Sequence, residues 1–123
     1  MLKVEQLSKK IDRQTILDGI DFTVESGEII ALVGRNGAGK TTLLRTMVGI
    51  IRPDQGDVLY GTKSIFKDAG LKRDIIFVPD SADALKHYTV NEATDLYESI
   101  YPSFNRSAFR ETLTRYNIDN KKI

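Results

Sequence analysis

The sequence predicts an α/β fold in which strand-like segments come first, one helix is embedded among them, and helices alone make up the remainder. Three observations lead there. Short apolar runs bounded by turn residues fill the first third of the 123-residue chain. Helical spacing then sets in abruptly at Lys40. After Pro79 the apolar positions recur only at helical intervals.

Leu2, Val4 and Leu7, and then the segment from Ile16 to Val24, read as strands separated by polar residues. Ser26-Gly27 is a turn, and Ile29-Ile30-Ala31-Leu32-Val33, a continuous apolar run, is expected to be a strand buried on both faces. Leu43, Leu44, Met47, Val48 and Ile51 fall on one face of an α-helix, which Gly49 is placed to help end. Arg52-Pro53-Asp54-Gln55-Gly56 reads as a turn and Val58-Leu59-Tyr60 as a short strand. A second apolar run, Ile75-Ile76-Phe77-Val78, ends at Pro79, which has no amide to continue a central strand.

Thr89-Val90-Asn91-Glu92 has the spacing of a capping box, and Val90, Ala93, Leu96, Tyr97, Ile100 and Tyr101 continue that helix until Pro102. Phe109, Leu113 and Tyr116 mark another helix. The expected division is residues 1–80, a core, and residues 81–123, a helical region.

Composition narrows the chemistry. Hydrophobic residues make up 41% and charged residues 28%, as in an ordinary globular chain. The formal charge is +1 and the charges are evenly spread, so no basic surface for nucleic acid is expected. There is no cysteine, which removes disulfides, thiolate nucleophiles and cysteine-based zinc sites. One histidine cannot build a metal cluster. The longest purely apolar run is five residues, against about 20 needed to cross a membrane. A cytoplasmic chain that reaches a membrane only through a partner is expected. Asn105-Arg106-Ser107 spells a glycosylation acceptor, which in a cytosolic chain is a chance match.

Gly34-Arg35-Asn36-Gly37-Ala38-Gly39-Lys40-Thr41 fits the P-loop pattern G-x-x-x-x-G-K-[ST] at every fixed position. An apolar run precedes it and an amphipathic helix starts at its lysine, the order such a loop requires. Glycines let the backbone curl so that amides from Gly37 through Thr42, including those of Ala38, Gly39 and Lys40, turn toward a polyphosphate beside Asn36. The helix N-terminus adds its positive end. Lys40 is the movable charge for the β and γ phosphates, and the Thr41 hydroxyl is the expected Mg²⁺ ligand. A dinucleotide fingerprint would need glycine at Thr42. The guanine-reading tetrapeptide N-K-x-D is not completed by Asn120-Lys121-Lys122-Ile123, so the resemblance to a guanine-selective G domain fails, and the lean toward adenine rests on this exclusion together with the resemblance given next.

With these residues the sequence resembles the ATP-binding subunit of an ABC transporter, along the whole chain. Leu17-Asp18-Gly19-Ile20-Asp21-Phe22 followed by Gly27-Glu28-Ile29 resembles that family's approach to its P-loop. Gly49, Pro53-Asp54-Gln55-Gly56-Asp57-Val58 and Gly61 resemble the stretch after its first helix. Ile75-Ile76-Phe77-Val78-Pro79-Asp80 is similar to the strand entering the Q-loop, and Tyr101-Pro102-Ser103-Phe104 to the start of the helical subdomain, particularly of ABC-2 exporters.

The resemblance implies a P-loop NTPase fold of ABC type: N-terminal antiparallel strands, a P-loop strand and helix core, and the start of a helical subdomain. It implies transmembrane permease partners, a second nucleotide-binding subunit, and ATP with Mg²⁺ as cofactors. Two residues depart from it. Ile11 stands where the family places an aromatic ring on the adenine, which implies weaker and less base-selective binding. Asp80 stands where the family has glutamine, which implies a carboxylate near the metal, as a direct or second-sphere Mg²⁺ ligand and a catalytic group beside Lys40. The signature stretch, the Walker B aspartate, the catalytic glutamate and the switch histidine would lie beyond Ile123. The chain is then expected to be an N-terminal half that binds nucleotide without efficient hydrolysis. Apolar faces such as Leu96 and Ile100 would stay exposed, and His87 and Tyr88 would lie near the groove for a coupling helix. The alternatives are a small self-contained P-loop NTPase or kinase, which Pro79 disfavours, and a non-catalytic regulatory module.

Overall fold

A computed structural model describes residues 1–80, 85–118 and 120–121. The chain divides into two compact units, Met1–Phe77 and Val78–Ile123. The division expected after residue 80 abuts residues 81–84, which lie outside those described, as does the Lys122-Ile123 end of the incomplete guanine tetrapeptide.

The first unit is built on an antiparallel sheet of four strands in the order β2-β1-β3-β4, with β1 at Leu2–Ile11, β2 at Gln14–Val24, β3 at Gln55–Tyr60 and β4 at Lys63–Ser64. Val4 and Leu7 are three apart, a spacing that in a regular strand puts them on opposite faces. Both are buried, because β1 carries a bulge. Val4 faces Phe22 and Leu7 faces Ile20, so three steps on β1 meet two on β2. Gln6 takes the extra step with φ at 44°. Its backbone amide donates to Asp21 Oδ1 at 2.9 Å, and its side-chain amide donates to Asp21 Oδ2. The same bulge is read from the other side, where Glu5 faces Asp57 but Ser8 faces Gln55. Val4, Leu7, Leu17 and Val58 thereby share one core with Leu43 and Ile65.

The helix α1, Lys40–Met47, presents Leu43 and Thr46 to the interior. Gly49 ends it as expected, with φ at 73°. The Gly49 amide returns to the Thr46 carbonyl and the Ile50 amide to the Arg45 carbonyl, a Schellman closure. Two side chains hold the carbonyls beyond it. Tyr60 donates its hydroxyl to the Met47 oxygen at 3.1 Å, and Lys72, on the 3₁₀ turn Ala69–Asp74, donates to the Gly49 oxygen at 3.0 Å. Partial burial pushes the Tyr60 phenol above its ordinary pKa.

The strand expected at residues 29–33 is corrected: it joins no ladder among the described residues, nor does the run at 75–78. Neither run is fully buried: Ile29 is 99% exposed and Val33 90%, and Ile76 is 87% exposed. An apolar run signals a strand that needs neighbours on both edges. In the sheet order β2-β1-β3-β4 neither run is a member, so each lacks a ladder neighbour among the described residues.

Asp54 fastens the turn before β3 to β1. It accepts from the Lys10 amide at 2.7 Å and from the Lys9 ammonium at 2.9 Å, while its own amide donates to the Ser8 carbonyl. The Lys10 amide first, and the lysine charge second, hold its carboxyl below the usual value. A lowered folded pKa gives stability that is fully present above the unfolded pKa, near 3.9, and is lost as pH falls through the folded value. Asp54→Asn should therefore be less stable than the parent at pH 7, with the gap closing as pH drops below about 5. Urea midpoints measured across that range check it. A gap that stays constant down to pH 3 contradicts it.

The second unit holds α2, Val90–Ile100, and α3, Arg106–Arg115. The capping box forms: the Glu92 amide donates to Thr89 Oγ1 at 3.3 Å and the Thr89 amide to Glu92 Oε2 at 2.7 Å. Asn105, of the chance glycosylation triplet, caps α3 by accepting from the Ala108 amide. Tyr97, Tyr101, Phe104 and Phe109 form a chain of ring contacts, with centroids 5.7, 6.3 and 5.4 Å apart. Arg106 pairs with Asp95 and Glu98. Ile100 is exposed as expected, whereas Leu96 is half-buried.

Candidate functional site

The three α-helix starts among the described residues differ in what is done with their first amides. An α-helix leaves these N–H groups without intrahelical acceptors. In α2 they are taken: Val90 donates to the Lys121 carbonyl, Asn91 to Asn120 Oδ1 at 3.0 Å and Glu92 to Thr89. In α3 Asn105 supplies the acceptor. The start of α1 has no side-chain cap. Its N-cap is Gly39, at φ 88° and ψ 3°, and the first intrahelical bond runs from the Leu43 amide to the Gly39 carbonyl at 2.8 Å. The amides of Lys40, Thr41 and Thr42 precede that bond. No acidic residue stands in the first turn.

The loop before α1 is held from two sides. A Cβ at Gly39 would lie 2.8 Å from the Ile16 carbonyl oxygen, so the glycine is what lets the loop seat against β2. Lys40 folds back over the loop and donates its ammonium to the carbonyls of Gly34 and Arg35, each at 2.7 Å. Asn36, Gly37 and Ala38 are exposed, and Gly37 has φ at 81°. The Ala38 amide is engaged by the Arg35 carbonyl at 3.2 Å, closing a turn within the loop. Thr41 is exposed and Thr42 half-buried at the head of the helix. A curled glycine loop, an uncapped helix start and an ammonium lying across the loop are the kinds of group that anion recognition uses.

A model of the ABC transporter family matches residues 17–123, with this loop inside the match. The chain belongs to the ABC transporter family.

A relative in this ABC family, the ABC transporter ATP-binding protein YtrB of Bacillus subtilis, is 38% identical over 122 residues, covering 99% of this chain and 42% of YtrB. The cytochrome c biogenesis ATP-binding export protein CcmA of Aliivibrio fischeri is 28% identical, covering 99% and 60%. A solved ABC transporter ATP-binding protein of Pyrococcus furiosus superposes with TM-score 0.77 at 28% identity, covering 98% of this chain and 60% of that one. The chain thus spans about half the length of the ABC relatives it matches. No helix among the described residues is long and apolar enough to cross a membrane.

The other candidate residues lie apart from the loop in sequence and differ in setting. Ile11 ends β1, 41% exposed, opposite Gln14 across a two-residue turn. Asp80 sits on an exposed bend in the second unit, and His87 and Tyr88 are exposed ahead of α2. Spacing alone did not reveal the seat on Ile16 or the two-residue turn at Asp12 and Arg13. The polar pair between two apolar stretches was the available signal for that turn.

Proposed function

We propose that this chain is the nucleotide-binding part of an ATP-binding subunit that couples ATP binding and hydrolysis to substrate transport through transmembrane permease subunits. It works beside a second nucleotide-binding subunit at the cytoplasmic face of the membrane. The observation that carries the reading is the uncapped start of α1 beneath a lysine that spans the phosphate loop. ATP with Mg²⁺ fits these residues. The amides of Gly37, Gly39, Lys40, Thr41 and Thr42 are donors for phosphate oxygens. The Lys40 ammonium would exchange loop carbonyls for phosphate oxygens, the Thr41 hydroxyl would ligate Mg²⁺, and Asp80 would be the further carboxylate for the metal. Bound Mg²⁺ supplies charge neutralisation for phosphoryl transfer.

The names of the relatives, ATP-binding proteins of transport systems, support the same reading. In this reading the 123 residues by themselves hold nucleotide without efficient turnover, since phosphoryl transfer also needs a group that orients water, which the phosphate loop does not supply. Robust hydrolysis by them would refute that.

In the complete protein, Lys40→Ala should weaken ATP binding about ten- to hundredfold, the worth of charge-assisted hydrogen bonds to an anion. Calorimetric titration with Mg²⁺ and ATP checks this, and an affinity unchanged by Lys40→Ala rejects the site. In the same titration Asp80→Asn should shift the magnesium midpoint upward. An unmoved midpoint removes Asp80 from the metal.

A further inference from the structure

Asn36-Gly37, inside the phosphate loop, is the one asparagine–glycine pair in the chain. In such a pair the glycine nitrogen stands a single ring closure from the asparagine side-chain carbonyl carbon, and an attack within one molecule needs no encounter. The nitrogen must be unbonded and unshielded to make it. Among the described residues the Gly37 amide donates to no acceptor and the Asn36 side chain makes no hydrogen bond. Both residues are exposed, and nothing lies within 4 Å of the missing Cβ of Gly37. The turn across them is closed by the 3.2 Å bond from the Ala38 amide to the Arg35 carbonyl, with Gly37 at φ 81°. Asp18-Gly19 is the related pair elsewhere in the chain. There the glycine amide donates to Ser8 Oγ at 2.9 Å, between the paired strands β1 and β2. The nitrogen that is held in the sheet is free in the loop.

We propose that Asn36-Gly37 is a self-modification site that turns the phosphate loop off, and that bound nucleotide protects it. The Gly37 nitrogen, losing its proton to solvent, attacks Cγ of Asn36. A C–N bond forms, the bond to the side-chain nitrogen breaks, and ammonia leaves a succinimide. Water then opens that ring at either carbonyl, giving aspartate or isoaspartate. Both products set a carboxylate among amides that would meet phosphate, and isoaspartate also lengthens the backbone by a methylene. Protection rests on the nucleotide reading above, in which the Gly37 amide is occupied by a phosphate oxygen.

The experiment keeps the complete protein for days in warm, mildly alkaline buffer, with and without ATP and Mg²⁺. Peptide mass spectrometry with chromatographic separation follows residue 36, and calorimetry follows ATP affinity. Without nucleotide Asn36 should convert to aspartate and isoaspartate faster than Asn117, which is exposed but precedes Ile118. Asp18 should form no isoaspartate. ATP at about a hundredfold excess over its dissociation constant should slow the conversion at least about tenfold. The affinity lost on ageing should follow the converted fraction. Fresh Asn36→Asp should bind ATP at least about tenfold more weakly than the parent, with its urea midpoint little moved. In Asn36→Gln, which must close a larger ring, and in Gly37→Ala, with a methyl beside the nitrogen, aged and fresh samples should bind ATP alike.

An Asn36 that persists, or that yields aspartate without isoaspartate, overturns the proposal. So does ATP that binds without slowing the conversion, and so does aged protein that binds ATP as tightly as fresh. In each of these cases the fresh parent still binds ATP, and this inference alone fails. If the fresh parent binds no ATP, the nucleotide reading fails and carries this one with it.

Discussion

Gly56→Ala should remove about 3 kcal/mol or more of folding stability, a large share of the 5–15 kcal/mol that holds a typical domain together. Gly56 takes φ 84° at the start of β3 and packs on the bulge of β1. A Cβ there would lie 2.2 Å from the Glu5 carbonyl oxygen and 2.4 Å from that of Gln6. Both atoms are backbone in a paired strand, so no rotamer change relieves the clash. The positive φ adds about 1–2 kcal/mol for any residue with a Cβ. Gly61 is the control, with φ 63° and open space around its missing Cβ. Gly61→Ala should cost only the conformational part, about 1 kcal/mol. Urea unfolding of the complete protein separates the two, and equal losses would show that the bulge yields to Gly56→Ala.

Gly39→Ala should lose about 2–3 kcal/mol of stability together with most of the affinity for ATP. At φ 88° its Cβ would meet the Ile16 carbonyl oxygen at 2.8 Å, with the Ile16 and Leu17 side chains at 3.1 and 3.3 Å. The side chains can give way and the carbonyl cannot, so the loop must lift from β2 and carry the first amides of α1 with it. Gly37, two residues earlier, has φ 81° and nothing within 4 Å of its missing Cβ. Gly37→Ala should cost about 1 kcal/mol and leave the seat intact. Paired urea midpoints and ATP titrations check both. Comparable losses of stability in the two variants would mean that contact with Ile16 does not hold the loop.

What could be read from the sequence was local. The phosphate loop, the capping box of Thr89 and Glu92 and the end of α1 at Gly49 each depend on residues within a few positions of one another, and a spacing is enough to announce them. The bulge at Gln6 was not read from the sequence: Val4 and Leu7 stand three apart where a strand asks for two, but only the partner strands show what that spacing means. The burial of residues 29–33 depends wholly on neighbours distant in sequence. Composition signals a demand for such neighbours and says nothing of whether they are met. The turn at Asp12 and Arg13 was hidden for a different reason: arginine is an unfavourable residue for its backbone, so propensity argues against what the fold contains.

The far end of α1 has a mechanical consequence. Gly39 pins one end of this helix to Ile16, and Tyr60 and Lys72 grip the carbonyls at the other, about 12 Å away for eight residues. A rod fixed at both ends transmits push and pull instead of bending. A shift at the glycine loop should on that ground be felt at the turn that carries Lys72, just upstream of the apolar run at residues 75–78.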